Sequence, residues 1–423
     1  MKSATLQRQP VTGNLLAQGM VALAERLLRS RLAQLRDGCV TLVDGERRET
    51  FGQLTARCAL SATVVVHDPR CYTEIAFGGS VGAGEAFMAG DWSSDDLTAL
   101  ARIFVVNRDV LDGMEGGLAR ITGPLRGLLH SLARNTRSGS RRNISAHYDL
   151  GNDFFELFLD PTMMYSCAVY EHAGMTLEQA QLAKLERLCR KLDLHPGDHL
   201  LEIGTGWGAL AVHAARHHGC RVTTTTISRQ QHALARERID AAGLADRITL
   251  RLDDYRDLDG QYDKIVSVEM IEAVGHQYYD TFFRRCSELL KPGGTMVLQT
   301  ITIDDRYYAS ARDSVDFIKR HIFPGCCIPS VSVLVESLAR SSALRLVDLE
   351  DIGPHYATTL ADWRSNMLAQ AAQIRARGYS DTLLRMWQFY LSYCEGGFAE
   401  RALGNVHLVL QDSRTATTPP PRV

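Results

Sequence analysis

The chain has 423 residues, 45% of them apolar and 23% charged, which is room for two or three domains, each with its own core. A formal net charge of −2 gives the whole molecule no pull on nucleic acid, so an acidic partner would have to meet a local patch. Ten cysteines show no CxxC pair and no His/Cys cluster at metal-ligand spacing, which argues for reduced cytosolic thiols, against a disulfide framework, and for no metal site.

The opening residues, MKSATLQRQPVTGNLLAQGM, hold nothing like the apolar core of a secretion signal, and the run 15–28 is broken by Glu25 and Arg26. No segment is expected to span a bilayer, so membrane contact would be peripheral. The pattern predicts a helix over 15–35, short strands at CVTLV and ATVVV, and a helix over 95–107, together a small α+β domain covering 1–115.

Between Glu115 and Asp149 there is no acidic residue, while Arg120, Arg126, Arg134, Arg137, Arg141 and Arg142 are all basic. Leu118, Ile121, Leu125, Leu128, Leu129 and Leu132 recur at helical spacing, with Pro124 starting or kinking the helix. Two readings stand at this point: a basic amphipathic linker, 116–145, lying on anionic lipid, or an interdomain helix with a solvated basic face.

From 146 to 412 the texture is that of a second domain. An amphipathic helix over 177–192 precedes HLLEI, a helix from Trp207, RVTTTTI, a helix from Ser228, RITLRL, YDKIVSV, a helix over 277–290 and TMVLQTI. That alternation predicts an α/β fold with a parallel sheet covered by helices on both faces. The alternation stops over 304–340, and 413–423, with three consecutive prolines, reads as a disordered tail.

In LLEIGTGWGAL a glycine-rich turn joins a strand to a helix, with Gly204, Gly206 and Gly208 letting backbone pass close to a ligand and Glu202 at the strand end. No Lys-Ser/Thr pair follows, so this is not a phosphate-cradling P-loop. The end of the next strand offers Thr225 and Thr226 where a dinucleotide enzyme would place an acid for the ribose, and Asp254 with Tyr255 could grip an adenine edge and face. The turn's spacing resembles motif I of class I S-adenosylmethionine-dependent methyltransferases.

Several separated motifs extend that resemblance: HYDLGNDFFELFLDPTMMYSC, VTTTTIS, DYRDLDGQYDKIVSVEMIEAVG, FIKRHIFPGCCIPS, HYATTLADW and, near the start, GGSVGAGEAFMAGDW. Together they resemble the cyclopropane fatty acid synthases and the related mycolic acid cyclopropane synthases and methyltransferases. The resemblance implies a Rossmann-like, mostly parallel seven-stranded sheet. It implies methyl transfer from S-adenosylmethionine to a cis alkene of a membrane phospholipid, then loss of a proton to bound bicarbonate as a cyclopropane ring closes. It also implies a homodimer attached peripherally to the inner face of the cytoplasmic membrane, an N-terminal lipid-associating domain, and an acyl-chain channel walled by the 304–340 insertion with Phe317, Ile318, Phe323, Pro324 and Ile328.

By the same resemblance the bicarbonate floor is Cys167, Glu272, Tyr356, Gln299 and the backbone of Ile301. Cys167 positions rather than attacks, and Gln299 stands where the better-known bacterial pattern has a titratable His, a change shared with plant-type synthases. S-adenosylmethionine would meet Tyr165, Ser166, Glu202, Gly204, Thr205, Gly206, Thr226, Gln231, Asp254 and Tyr255. A methyltransferase that stops at a methyl or methylene branch is the nearest alternative, and a non-catalytic lipid-binding protein a more distant one.

Overall fold

A computed structural model of the chain describes residues 15–110, 112 and 151–414. The predicted basic linker, 116–145, and residues 415–423 of the predicted tail lie outside the described residues, while Ser413 N–H, at the start of that tail, donates to Ala343 O at 3.0 Å. The chain forms two compact units, and neither is continuous in sequence.

The first unit comprises the described residues up to 112 together with Ser314–Ile322 and Met367–Glu400. Its four strands, β1 (Gly38–Asp44), β2 (Arg47–Gln53), β3 (Ser61–Val66) and β4 (Trp92–Ser94), lie in the order β2-β1-β3-β4, with only the β1–β3 pair parallel. Val40, Leu42, Phe51, Tyr72, Phe87, Trp92 and Ile103 fill the core against helices Leu15–Leu32, Arg70–Ala89 and Leu97–Val106. The last of these is capped by Asp96, whose side chain accepts the Ala99 N–H at 2.8 Å.

Glycine explains why distant sequence joins this unit. A Cβ on Gly396, in helix Asp381–Ala399, would come 2.7 Å from Ala101 Cβ, and one on Gly84 would come 2.3 Å from the Phe317 ring. Without side chains at these two points the helices and the 314–322 turn close onto the N-terminal core. Thr98 then donates to Glu395 at 3.0 Å, Arg102 pairs with Glu400 at 2.7 Å, and Glu85 takes Arg320 at 2.7 Å and His321 at 3.0 Å.

The second unit holds a seven-stranded sheet. Its strands are β5 (His199–Ile203), β6 (Arg221–Thr225), β7 (Ile248–Arg251), β8 (Tyr262–Val268), β9 (Leu290–Ile303), β10 (Leu344–Asp351) and β11 (Leu403–Asp412), in the order β10-β11-β9-β8-β5-β6-β7. Only β11 runs against its neighbours. The predicted strands all form, and helix Leu177–Leu192 has the predicted bounds, closed by a Thr176/Gln179 capping box. Strands β10 and β11 were not expected from the strand pattern.

Chain order reverses between β5 and β8: successive strands step outward on one side of β5, and the chain then returns to add β8 and β9 on the other. In such sheets the loops at the carboxyl ends of the two strands flanking the reversal form the ligand crevice. Here those loops begin at Gly204, after β5, and at Glu269, after β8.

Candidate active site

On the β5 side the turn is built as its glycines require: Gly204, Gly206 and Gly208 have φ of 106°, 52° and 91°. Gly204 N–H and Thr205 N–H both donate to Thr225 O at 3.0 Å, fastening the turn to the end of β6. Beneath it Thr205 and Thr224 hydroxyls meet at 2.7 Å, and Thr224 donates to Glu202 Oε2 at 2.6 Å. Burial pushes the Glu202 carboxyl up to about 8, opposed by that single hydrogen bond and by Lys184. Glu202 therefore acts from below the turn, through Thr224, and is itself buried.

Thr226 donates to Gln231 Oε1 at 2.8 Å, and Ser228 caps the following helix by accepting Gln231 N–H. Asp254 is buried and takes both Nε and Nη2 of Arg256, at 2.8 and 2.7 Å. The Tyr255 ring packs edge-on to Phe282, 5.5 Å between centroids, within the core. Tyr165 belongs to an aromatic group with Phe155 at 5.4 Å and Trp363 at 5.1 Å, while Phe158 lies against both of its neighbours. Ser166 Oγ accepts from Lys184 Nζ at 2.8 Å. Lys184 is fully buried, and burial lowers its ammonium to about 8 against the attraction of Glu269 and Glu202.

The β8 side brings together residues far apart in sequence around one that sequence reasoning did not select. Glu269 Oε1 accepts Cys167 N–H at 2.9 Å, the Gln299 amide at 2.8 Å and the Asn405 amide at 2.6 Å, and Oε2 accepts the Tyr356 hydroxyl at 2.7 Å. Every partner is a donor, the arrangement an ionised carboxylate wants. Glu269 also has φ of 47°, a left-handed backbone that costs a residue with a side chain about 1 kcal/mol or more. Sheet register makes the cluster: Asn405 pairs with Ile301 and His407 with Gln299 across β9 and β11, and Gln299 pairs with Val268 across β8 and β9.

Glu272 lies close by but is differently placed. Its Oε1 accepts Ile301 N–H at 2.6 Å and Thr300 Oγ1 at 2.9 Å, and its Oε2 is buried without a hydrogen-bond partner among the described residues. Burial, then the charge of Glu269, pushes it up to about 8. The Cys167 thiol is buried and held well above its ordinary value by desolvation, so it stays protonated, and the site uses its backbone N–H. His407 Nε2 lies 3.0 Å from Gln299 Oε1, which leaves the Gln299 NH2 facing Glu269.

Lys184, Asn405 and His407 were missed along with Glu269; the one available signal was the first of the two acids in VEMIEAVG. Of the expected acyl-channel residues, Phe317 and Ile318 fall in the first unit and Phe323, Pro324 and Ile328 in the second. The fold also assembles a group no sequence spacing displays: the ligand atoms of Cys189, His213 and His218 lie within 4.8 Å of one another. Both imidazole Nε2 atoms are 3.2 Å from Glu186 Oε2, and burial raises the Cys189 thiol, so hydrogen bonding to a carboxylate accounts for this cluster.

This strand order, with a glycine turn after the first strand of the sheet, is the fold of class I S-adenosylmethionine-dependent methyltransferases. The family model for mycolic acid cyclopropane synthetase matches residues 135–408, and the chain belongs to that family. It is 38% identical over 392 residues, 90% of this chain and 89% of the relative, to the tuberculostearic acid methyltransferase of Mycobacterium tuberculosis. It is 37% identical over 347 residues, 80% of this chain and 85% of the relative, to the cyclopropane-fatty-acyl-phospholipid synthase of Escherichia coli K12. A solved mycolic acid cyclopropane synthase complexed with SAH and CTAB superposes with a TM-score of 0.60 at 32% identity, covering 64% of this chain and 98% of that one. The protein is thus an S-adenosylmethionine-dependent enzyme of the methyltransferase and cyclopropane synthase type.

Proposed function

We propose that the enzyme adds the one-carbon unit of S-adenosylmethionine across the cis double bond of an unsaturated phospholipid acyl chain and closes a cyclopropane ring. The observation that carries this reading is the carboxylate of Glu269, held by four donors directly beside the turn that approaches the co-substrate. A Cβ placed on Gly204 would lie 3.5 Å from Met270, the residue after Glu269. S-adenosylmethionine supplies an electrophilic methyl group. An alkene is a poor nucleophile, so the protein must keep water out and favour transient positive charge. Trp363, Tyr165, Phe155 and Phe158 supply an apolar group whose ring faces attract a cation, and Trp363 packs edge-on to Tyr356, 6.0 Å between centroids.

The resemblance hands the released proton to bicarbonate. Of the residues expected to hold it, Cys167 through its N–H, Gln299 through its amide and Tyr356 through its hydroxyl are bonded here to Glu269, and Ile301 N–H to Glu272. An added anion would have to break those bonds, so the reading contains no step through bicarbonate.

No described helix is long and apolar enough to cross a membrane. We place the enzyme, as a homodimer, peripherally at the inner face of the cytoplasmic membrane, with the arginine-rich 116–145 stretch and the N-terminal unit meeting anionic lipid and the 304–340 stretch guiding the acyl chain. A second reading, transfer that ends in a methyl or methylene branch, is favoured by the 38% identity with a tuberculostearic acid methyltransferase. Gas chromatography with mass spectrometry of acyl chains released from unsaturated liposomes separates the two. A one-carbon gain co-eluting with the cyclopropane standard is expected, and a branched product would move the assignment to the second reading.

A further inference from the structure

We propose that Glu269 is the enzyme's own proton acceptor, its carboxylate standing in the place that the family resemblance gives to bicarbonate. The inference rests on the acyl-alkylation reading above. Its ground is the identity of the donors: of the four that resemblance assigns to a bound carbonate, those of Cys167, Gln299 and Tyr356 converge on this side chain, with Asn405 beside them, while Ile301 N–H goes to Glu272. Bicarbonate and a carboxylate present the same planar O–C–O edge, so one donor set suits either.

The two oxygens of Glu269 are unequally used. Among the described residues Oε1 takes three N–H donors and is anchored, and Oε2 takes only the Tyr356 hydroxyl, which leaves it capacity for a proton. The side chain is partly exposed, whereas Glu272 is buried and holds its own proton to about 8. Of the two acids in VEMIEAVG, Glu269 is therefore the one that combines four hydrogen-bond donors with partial exposure.

The step balances without a further reagent. The alkene π pair forms the new bond to the sulfonium methyl group as the C–S pair leaves with sulfur. The C–H pair of that methyl then closes the ring onto the cationic carbon, and the proton passes to Glu269 Oε2. A proton beside a carbocation is acidic enough that placement of the base, rather than its strength, limits the transfer. Gln299, unable to titrate, fits a role of holding this carboxylate in position, and His407 fixes which end of the Gln299 amide faces it.

The test uses the full-length enzyme, S-adenosylmethionine and unsaturated liposomes in buffer stripped of carbon dioxide, with and without added bicarbonate. Wild-type turnover is expected to be the same in both. Glu269→Gln, which keeps the shape, should fall about 10²- to 10⁴-fold, and Glu269→Gly should regain activity only when bicarbonate is added. A wild-type rate that collapses without bicarbonate and returns with it overturns the proposal while leaving the acyl-alkylation reading intact.

If wild type modifies no acyl chain under either condition, the functional reading fails instead. Binding then decides the inference: ¹³C-bicarbonate, followed by NMR on SAH-saturated enzyme, should bind Glu269→Gly and not wild type, and binding to wild type overturns it. Thermal melting and S-adenosylmethionine titration of each variant establish that it is folded.

Discussion

Two acids, Glu202 on β5 and Glu269 just beyond β8, sit near the carboxyl ends of neighbouring strands, and Glu202 pairs with Val266 only three residues before Glu269. Glu202 has one hydroxyl donor, and burial wins: its proton stays on to about 8. Glu269 has four donors, and its surroundings ask for a bare carboxylate. What separates a structural acid from a chemical one here is the number of donors aimed at it, together with the partial exposure of Glu269 where Glu202 is buried.

The comparison breaks most visibly if a donor to Glu269 is dispensable. Asn405→Leu removes the 2.6 Å bond and also an amide oxygen that is buried without a hydrogen-bond partner. Stability should change little, because a lost hydrogen bond and a lost orphan acceptor offset one another. A hydrogen bond to a charged group contributes about 1.5–3 kcal/mol. Initial rates on liposomes should therefore fall about 10- to 100-fold, with S-adenosylmethionine affinity unchanged. A variant at full speed would mean that the donor count is not what equips Glu269.

The next test touches the other strand end. Gly204 has φ of 106°, and a Cβ there meets nothing closer than Met270 at 3.5 Å, so Gly204→Ala introduces backbone strain without a clash. Strain of about 1–3 kcal/mol in the turn should weaken S-adenosylmethionine binding by about tenfold or more in calorimetry, while the rate at saturating co-substrate stays near that of wild type. Loss of the saturated rate instead would show that the turn and the Glu269 cluster act as one element.

These two sides were unequally legible in the sequence. The Gly204–Gly208 turn is local: strand, glycines and helix follow one another, and backbone angles were implied by residue type. The Glu269 cluster draws on Gln299 and Asn405, which the β8–β9–β11 register brings beside it, and on Cys167 and Tyr356 from segments outside those strands, so no window of sequence contains it. Resemblance supplied Cys167, Gln299 and Tyr356 as partners but pointed to Glu272 as the acid, because nothing in VEMIEAVG shows that Glu269 takes a left-handed backbone. Strand β10 was hidden for a related reason. Its LRLVDLED run has Val347 and Leu349 exposed at the sheet edge, and the alternation that marks a half-buried strand is lost.

The smallest expected effect concerns Glu202 and has a definite sign. Its carboxyl is raised from 4.5 to about 8 in the fold, so between those values the folded chain keeps a proton that the unfolded chain releases. The stabilisation is complete below about 4.5 and is lost as pH rises through about 8, each unit of difference corresponding to about 1.4 kcal/mol. Glu272 contributes a slope of the same sign over the same window. Glu202→Gln keeps an acceptor for Thr224 and cannot ionise, so it should remove one of the two slopes. In thermal melts of the unliganded enzyme the variant should lose less stability than wild type between about pH 5 and pH 8, with its turnover at pH 7 close to normal. Parallel melting curves for the two proteins would mean that Glu202 is ionised in the fold, and the contrast with Glu269 would then have to rest on position alone.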